Sequence, residues 1–139
     1  MESIKGAQIA QIALSYPDKD ERKYGGSAPN IDCSMFAAEI YAKVGTLLPR
    51  EATAQAAWFK ANGNFTTKFS EVSVGDAAYW EREGGKYHTG IIVQTTPVIL
   101  VVHATTFDHQ PKCIKKNKVQ SNGIIQYWKY KFVGVGRLK

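Results

Sequence analysis

Three residues in this chain have the types and setting for nucleophilic chemistry. Cys33 stands in the segment IDCSMFAAEIYAKVG, where a loop gives way to a helix. The thiolate is the nucleophile, and a free thiol with a pKa of about 8.5 is mostly protonated at neutral pH. Amides and dipole at a helix N-terminus favour negative charge there, and a neighbouring imidazolium favours it further. Taken alone, Cys33 reads as a small buried apolar residue, which free cysteines usually are. The histidines change that reading. The chain has 3 histidines. His88 opens the run HTGIIVQ, His103 lies in VILVVHATT, and the intervening TTP can turn. A two-residue loop at Thr95 and Thr96 would set Gln94 opposite Pro97 and His88 directly opposite His103, on one face of a hairpin. Pro97 has no N–H for the ladder and works against so tight a loop. A helix-start cysteine with two aligned histidines is a nucleophile, a base and a partner that orients the base. The same three residues could instead ligate zinc, but no outer groups that would orient metal-bound imidazoles are identifiable. Neither a metal nor an organic cofactor is expected.

These residues need elements to hold them. Ile4, Ala7, Ile9, Ile12 and Ala13 recur at near-helical spacing and predict a helix to about Ser15. Tyr16 to Asn30 is rich in Pro, Gly, Asp and Lys and reads as a loop. A second helix begins near Asp32 or Cys33, buries Phe36, Ala37, Ile40 and Val44, and ends near Gly45. Residues 51–61 predict a short alanine-rich third helix. Then the period changes, and Ala77–Trp80, His88–Gln94, Val98–Thr105, Lys112–Val119 and Ile124–Val135 read as strands. Helices followed by strands predict an α+β fold, N-terminal helices on a C-terminal antiparallel sheet. There is no internal repeat or linker, so residues 1–139 are expected to form one domain.

Composition bounds the rest. Hydrophobic residues make up 44% and charged residues 22%, ordinary for a globular protein. No run reaches the roughly 18 apolar residues of a membrane span. The first residues carry Glu2 and Lys5 and show no secretory signal. The net charge of +6 is uneven: eight basic and no acidic residues follow Asp108, whereas residues 1–108 carry 10 basic and 12 acidic residues. A basic segment attracts polyanions, an anionic cell wall or nucleic acid, unless it is only a solvated strand face. Two distant cysteines without a CxxC argue against a disulfide framework or a zinc ribbon and leave one or both thiols free. Cys113 falls in a predicted strand and is expected to be inert, and His109 in DHQPK to be solvated.

The residues resemble a known family. KYGGSAPNIDCSMFAAEIYAKVGTLLPREATAQ is similar to the signature of NlpC-type cell-wall peptidases: a Gly-Gly pair, a loop, Asp-Cys-Ser, an amphipathic helix, then Leu-Pro-Arg. VSVGDAAYW, YHTGIIV and VVHATT resemble that family's Gly-Asp strand, its histidine strand and the strand of its third polar residue, in the same order. The resemblance implies a papain-like fold with Cys33 as nucleophile, His88 as general base and His103 orienting the imidazole. It implies that Asp32, Ser34 and Tyr24 line the substrate cleft, although Met35 replaces the family's usual glycine, and Arg22 stands where its tyrosine is expected. It further implies hydrolysis of an amide bond in peptidoglycan stem peptides, the γ-D-glutamyl–diaminopimelate bond, by a secreted monomer acting in the periplasm or wall. A housekeeping enzyme and an antibacterial effector of the type VI kind, the latter with an immunity protein as partner, both fit; nucleic acid is not an expected partner. The alternative is a catalytically silent module on the same fold that binds wall or polyanion. Arg50 is expected to be a structural clamp and Asp76 to close a turn.

Overall fold

The computed structural model describes residues 4–16, 32–105 and 113–139. Tyr24, Arg22 and His109 lie outside them. Three helices come first: α1 (Ile4–Leu14), α2 (Cys33–Ala42) and α3 (Ala52–Asn62). Six strands follow: β1 (Asn64–Thr66), β2 (Ala77–Glu81), β3 (Tyr87–Gln94), β4 (Ile99–Thr105), β5 (Cys113–Val119) and β6 (Lys131–Arg137). They form one sheet in the order β1-β6-β2-β3-β4-β5, with every pair antiparallel. The α+β architecture is therefore the one predicted.

Side chains alternate across a strand, and here both faces are buried. Ala77, Tyr79, Ile91, Val102, Ala104 and Ile114 pack against Phe36, Ala37, Ile40 and Tyr41 of α2 and Phe59 of α3. Ala78, Trp80, Ile92, Val101 and Val135 form the opposite face, covered by Val119, Ile125, Trp128 and Tyr130. This second layer explains why Ala77–Trp80 is apolar throughout instead of alternating.

Two expectations are corrected. The last strand begins at Lys131, not Ile124. Residues 124–130 are rich in Ile, Tyr and Trp, but Gly123 and Tyr127 take left-handed backbone conformations (φ 88° and 73°). The chain turns there, with a single bridge between Val119 and Ile125, and folds Trp128 onto the sheet. The β3–β4 register also differs. Ile91 pairs with Val102 and Ile92 with Val101, and Gln94 pairs with Leu100 after an irregularity. Residues 95–98 form the connection, because pairing cannot include Pro97, which lacks the donor. The shift amounts to two residues. An even slip keeps every side chain on its own face, so His88 and His103 remain on one face but lie diagonally, with Gly90 beside His103.

Candidate active site

Cys33 is the first residue of α2, and Asp32 is its N-cap. The Asp32 carboxylate accepts the Met35 amide at 2.8 Å, which satisfies one of the amides a helix start leaves over. The Ser34 hydroxyl donates to Asp32 at 3.1 Å. Arg50 donates to both Asp32 oxygens, at 3.1 and 2.5 Å, and to the Ser34 hydroxyl at 2.8 Å. Burial alone would raise the Asp32 carboxyl. The hydrogen bonds from Arg50, Met35 and Ser34 outweigh it and hold the group below its ordinary range. Asp32, Ser34 and Arg50 thus form one clamp on the start of α2, the role expected of Arg50. The polar atoms of Asp32 and Ser34, predicted to line a cleft, are engaged in that clamp.

Gln55 of α3 completes the anchoring and was missed in the sequence. It is fully buried, donates to the backbone carbonyls of Ser34 and Pro49 at 2.9 Å each, and accepts the Tyr79 hydroxyl at 3.1 Å. One side chain ties α2, α3 and β2 together. Its only signal was a single glutamine in an alanine-rich helix.

Cys33 itself is buried, with 5% of its surface exposed. Burial pushes the Tyr79 hydroxyl far up, and electrostatic coupling to Cys33 adds to this. Arg50 is raised above all by Asp32, and also by Cys33. The sulfur is therefore electrostatically close to a cation and to β2 at Tyr79. Tyr79 pairs across the sheet with Thr89, the residue after His88.

The histidines meet. His88 Nε2 lies 2.7 Å from His103 Nδ1, with ring centroids 5.0 Å apart and edge-to-face. Both are buried. The Trp128 ring lies against both, at centroid distances of 4.6 Å from His88 and 5.3 Å from His103. Gly90 makes room for them. A Cβ there would come within 2.6 Å of Val101 Cγ2 and 2.8 Å of His103 Cβ. His103 Nε2 continues to Asn117 Oδ1 on β5, at 2.7 Å. Asn117 was also missed, because it sits among lysines in KKNKV, which reads as a solvated face; Trp128 reads as core, and it does pack against the core of this face.

Burial, then His103 and the charge of Arg82, hold His88 well below its ordinary value. Burial pushes His103 down to about 4, with the Asn117 hydrogen bond pulling upward and Lys115 pushing downward. Both rings are neutral near pH 7. With Nε2 of His88 engaged by His103, Nδ1 is its remaining nitrogen. Among the described residues, no three His, Cys, Asp or Glu side chains gather as a metal site would need.

A model of the NlpC/P60 family matches residues 20–137. The chain belongs to the NlpC/P60 family. It is 31% identical over 118 residues to a protein named probable endopeptidase p60 from Listeria seeligeri, and 30% identical to one of the same name from Listeria monocytogenes. The match covers 83% of this chain but 19% and 20% of those relatives, so the chain spans about a fifth of their length. Among solved structures, it overlays on the NlpC/p60 domain of the peptidoglycan hydrolase SagA with a TM-score of 0.67, at 23% identity, covering 96% of this chain and 98% of that one. It overlays on NlpC2 from Trichomonas vaginalis with a TM-score of 0.74, at 14% identity, covering 99% and 48%. These overlays show the shared papain-like NlpC/P60 fold. No helix among the described residues is long and apolar enough to cross a membrane.

Proposed function

We propose that this NlpC/P60 domain is a cysteine peptidase that hydrolyses an amide bond in peptidoglycan stem peptides, with Cys33 as nucleophile, His88 as base and His103 as the residue that orients it. The observation that carries this reading is the buried 2.7 Å bond between His88 Nε2 and His103 Nδ1, with His88 on β3, the strand against which α2 packs. A base must be neutral to accept a proton, and burial keeps His88 neutral. The Cys33 proton passes to His88 Nδ1, and the sulfur bonds to the substrate carbonyl carbon. Helix-start amides would hold the oxyanion, each donor contributing about 3 kcal/mol. The C–N bond then breaks, and the leaving amine takes the proton from His88. Water, deprotonated by the same nitrogen, attacks the thioester, releases the acid and restores the thiol.

By family relationship, the substrate bond is γ-D-glutamyl–diaminopimelate, and the site of action is the periplasm or wall. The test is digestion of purified sacculi followed by mass analysis of the fragments. Fragments cut at that bond are expected from the wild type and not from Cys33→Ala. Uncut sacculi, or cutting that survives Cys33→Ala, would overturn the proposal. A fragment pattern from another stem-peptide bond would replace the bond and keep the mechanism.

A further inference from the structure

We infer that Asn117 is a positioning residue for this site, whose side-chain carbonyl fixes the proton order through His103 and His88. The inference rests on the peptidase reading above. It starts from a row of three side chains on three adjacent strands: His88 on β3, His103 on β4 and Asn117 on β5. They are joined by two bonds of 2.7 Å each. Asn117 pairs with Val101 and His103 with Lys115, so the asparagine sits two residues along from His103 on the same face.

A neutral imidazole carries one proton, donating from one nitrogen and accepting at the other. In a row of two such rings, the end group sets the order for both. The structure turns the Asn117 carbonyl oxygen toward His103 Nε2, so that nitrogen must bear the proton. His103 Nδ1 is then bare and accepts from His88 Nε2, which leaves His88 Nδ1 bare as well. That is the state a base facing a thiol requires. The reverse amide orientation would bare His103 Nε2, protonate its Nδ1, and force the His88 proton onto Nδ1, where no proton could be accepted. When His88 does take the thiol proton, the new charge faces the lone pair of His103, which is polarised in turn by the Asn117 carbonyl. An asparagine does this without a net charge, so it orders the row without driving the base toward permanent protonation.

The experiment uses the full chain with 15N-labelled histidine. Long-range nitrogen–proton spectra should show Nε2–H on both His88 and His103 in the wild type. Asn117→Leu removes the acceptor: the tautomers should become mixed, and kcat should fall about tenfold or more, within the 10²–10⁴ a positioned base supplies, with KM nearly unchanged. Asn117→Asp keeps the acceptor: the Nε2–H tautomers should persist, and the acidic limb of kcat/KM should move to higher pH. Wild-type His103 protonated on Nδ1 overturns the inference even if the leucine variant does not fold, as do tautomers that ignore Asn117→Leu. The spectra need no substrate. Ordered tautomers in a protein that leaves sacculi intact would sink the peptidase reading alone. An active peptidase whose tautomers ignore Asn117 would sink only this inference.

Discussion

The start of α2 and the histidine row present the same problem, polar groups placed beside a hydrophobic core, with opposite solutions. At the helix start the groups stay charged. Asp32 faces Arg50 at 2.5 Å, with side chains 22% and 43% exposed, and the bonds from Arg50, Met35 and Ser34 keep the carboxylate ionised against its partial burial. In the row both rings are buried and neutral, and three of their four nitrogens are matched to one partner each. A partly exposed ion pair of this kind is worth at most about 1 kcal/mol. A buried polar row tolerates no missing partner, since an orphaned group there costs about 1–3 kcal/mol. The nucleophile is thus held by a forgiving electrostatic clamp, whereas the base is held by a geometrically exacting network.

The largest contrast should appear in turnover. His88→Ala removes the proton acceptor and should lower kcat/KM by about a thousandfold or more, since a positioned base contributes 10²–10⁴. His103→Asn or His103→Gln can still offer a carbonyl to His88 Nε2–H and should keep measurable activity, while His103→Ala should fall much further. Steady-state kinetics on a soluble stem peptide decides this. Equal losses in His103→Asn and His103→Ala would remove the orienting role.

The two regions should also separate by pH. His88 and His103 titrate near 6.5 once unfolded. Both are depressed in the fold, so between 6.5 and about 4 the unfolded chain binds more protons and stability falls as pH falls. The slope is about 1.4 kcal/mol per pH unit per histidine. Asp32 is depressed below 3.8, so its stabilisation is full above that value and is lost only in stronger acid. Thermal unfolding followed from pH 7 to pH 4 should therefore report the row and not the clamp. His103→Asn should flatten the slope, and an unchanged slope would contradict the assignment.

Smaller effects test how exacting the row is. Gly90→Ala drives a methyl against Val101 and His103 and should cost about 1–3 kcal/mol of stability, the usual penalty of overpacking, together with activity. Asp32→Ala removes a cap and should cost about 1 kcal/mol. Chemical denaturation of both variants makes the comparison, and a larger loss from Asp32→Ala would reverse it.

Much of this was legible because it is local. A cysteine after Asp at a loop-to-helix junction, and histidines in strand-like runs, can be read from spacing alone. The face shared by His88 and His103 was also legible, since it survives a two-residue slip. Their register was not, because it depends on a longer connection around Pro97. Asn117 and Gln55 were illegible for another reason. Each gains meaning only from a residue 14 or 21 positions away, and nothing in KKNKV or ATAQAAW marks that partner. The strand expected from Ile124 failed because left-handed turns at Gly123 and Tyr127 carry no apolar signal.

The smallest expected effect concerns the basic segment, which the fold divides. Lys129 pairs with Glu83 at 3.3 Å, and Lys131 lies opposite Glu81 on β2. Lys115, Lys116 and Lys118 lie instead on β5, the edge strand at the far side of the sheet. Exposed lysines blunt such an edge against pairing with another chain, and they also attract polyanions. Lys116 and Lys118 are exposed and alternate with Asn117 along β5, on its other face, so Lys116→Glu with Lys118→Glu should weaken sacculus binding in a salt-dependent way and leave turnover of a soluble stem peptide nearly unchanged. Lys115 differs, because its charge helps depress His103. Lys115→Gln should shift the acidic limb of kcat/KM slightly to higher pH while barely changing sacculus binding. Co-sedimentation with sacculi at low and high salt, beside pH–rate profiles, separates the two. If the Lys116 and Lys118 reversals alter turnover as much as binding, these two lysines and the row do not act separately.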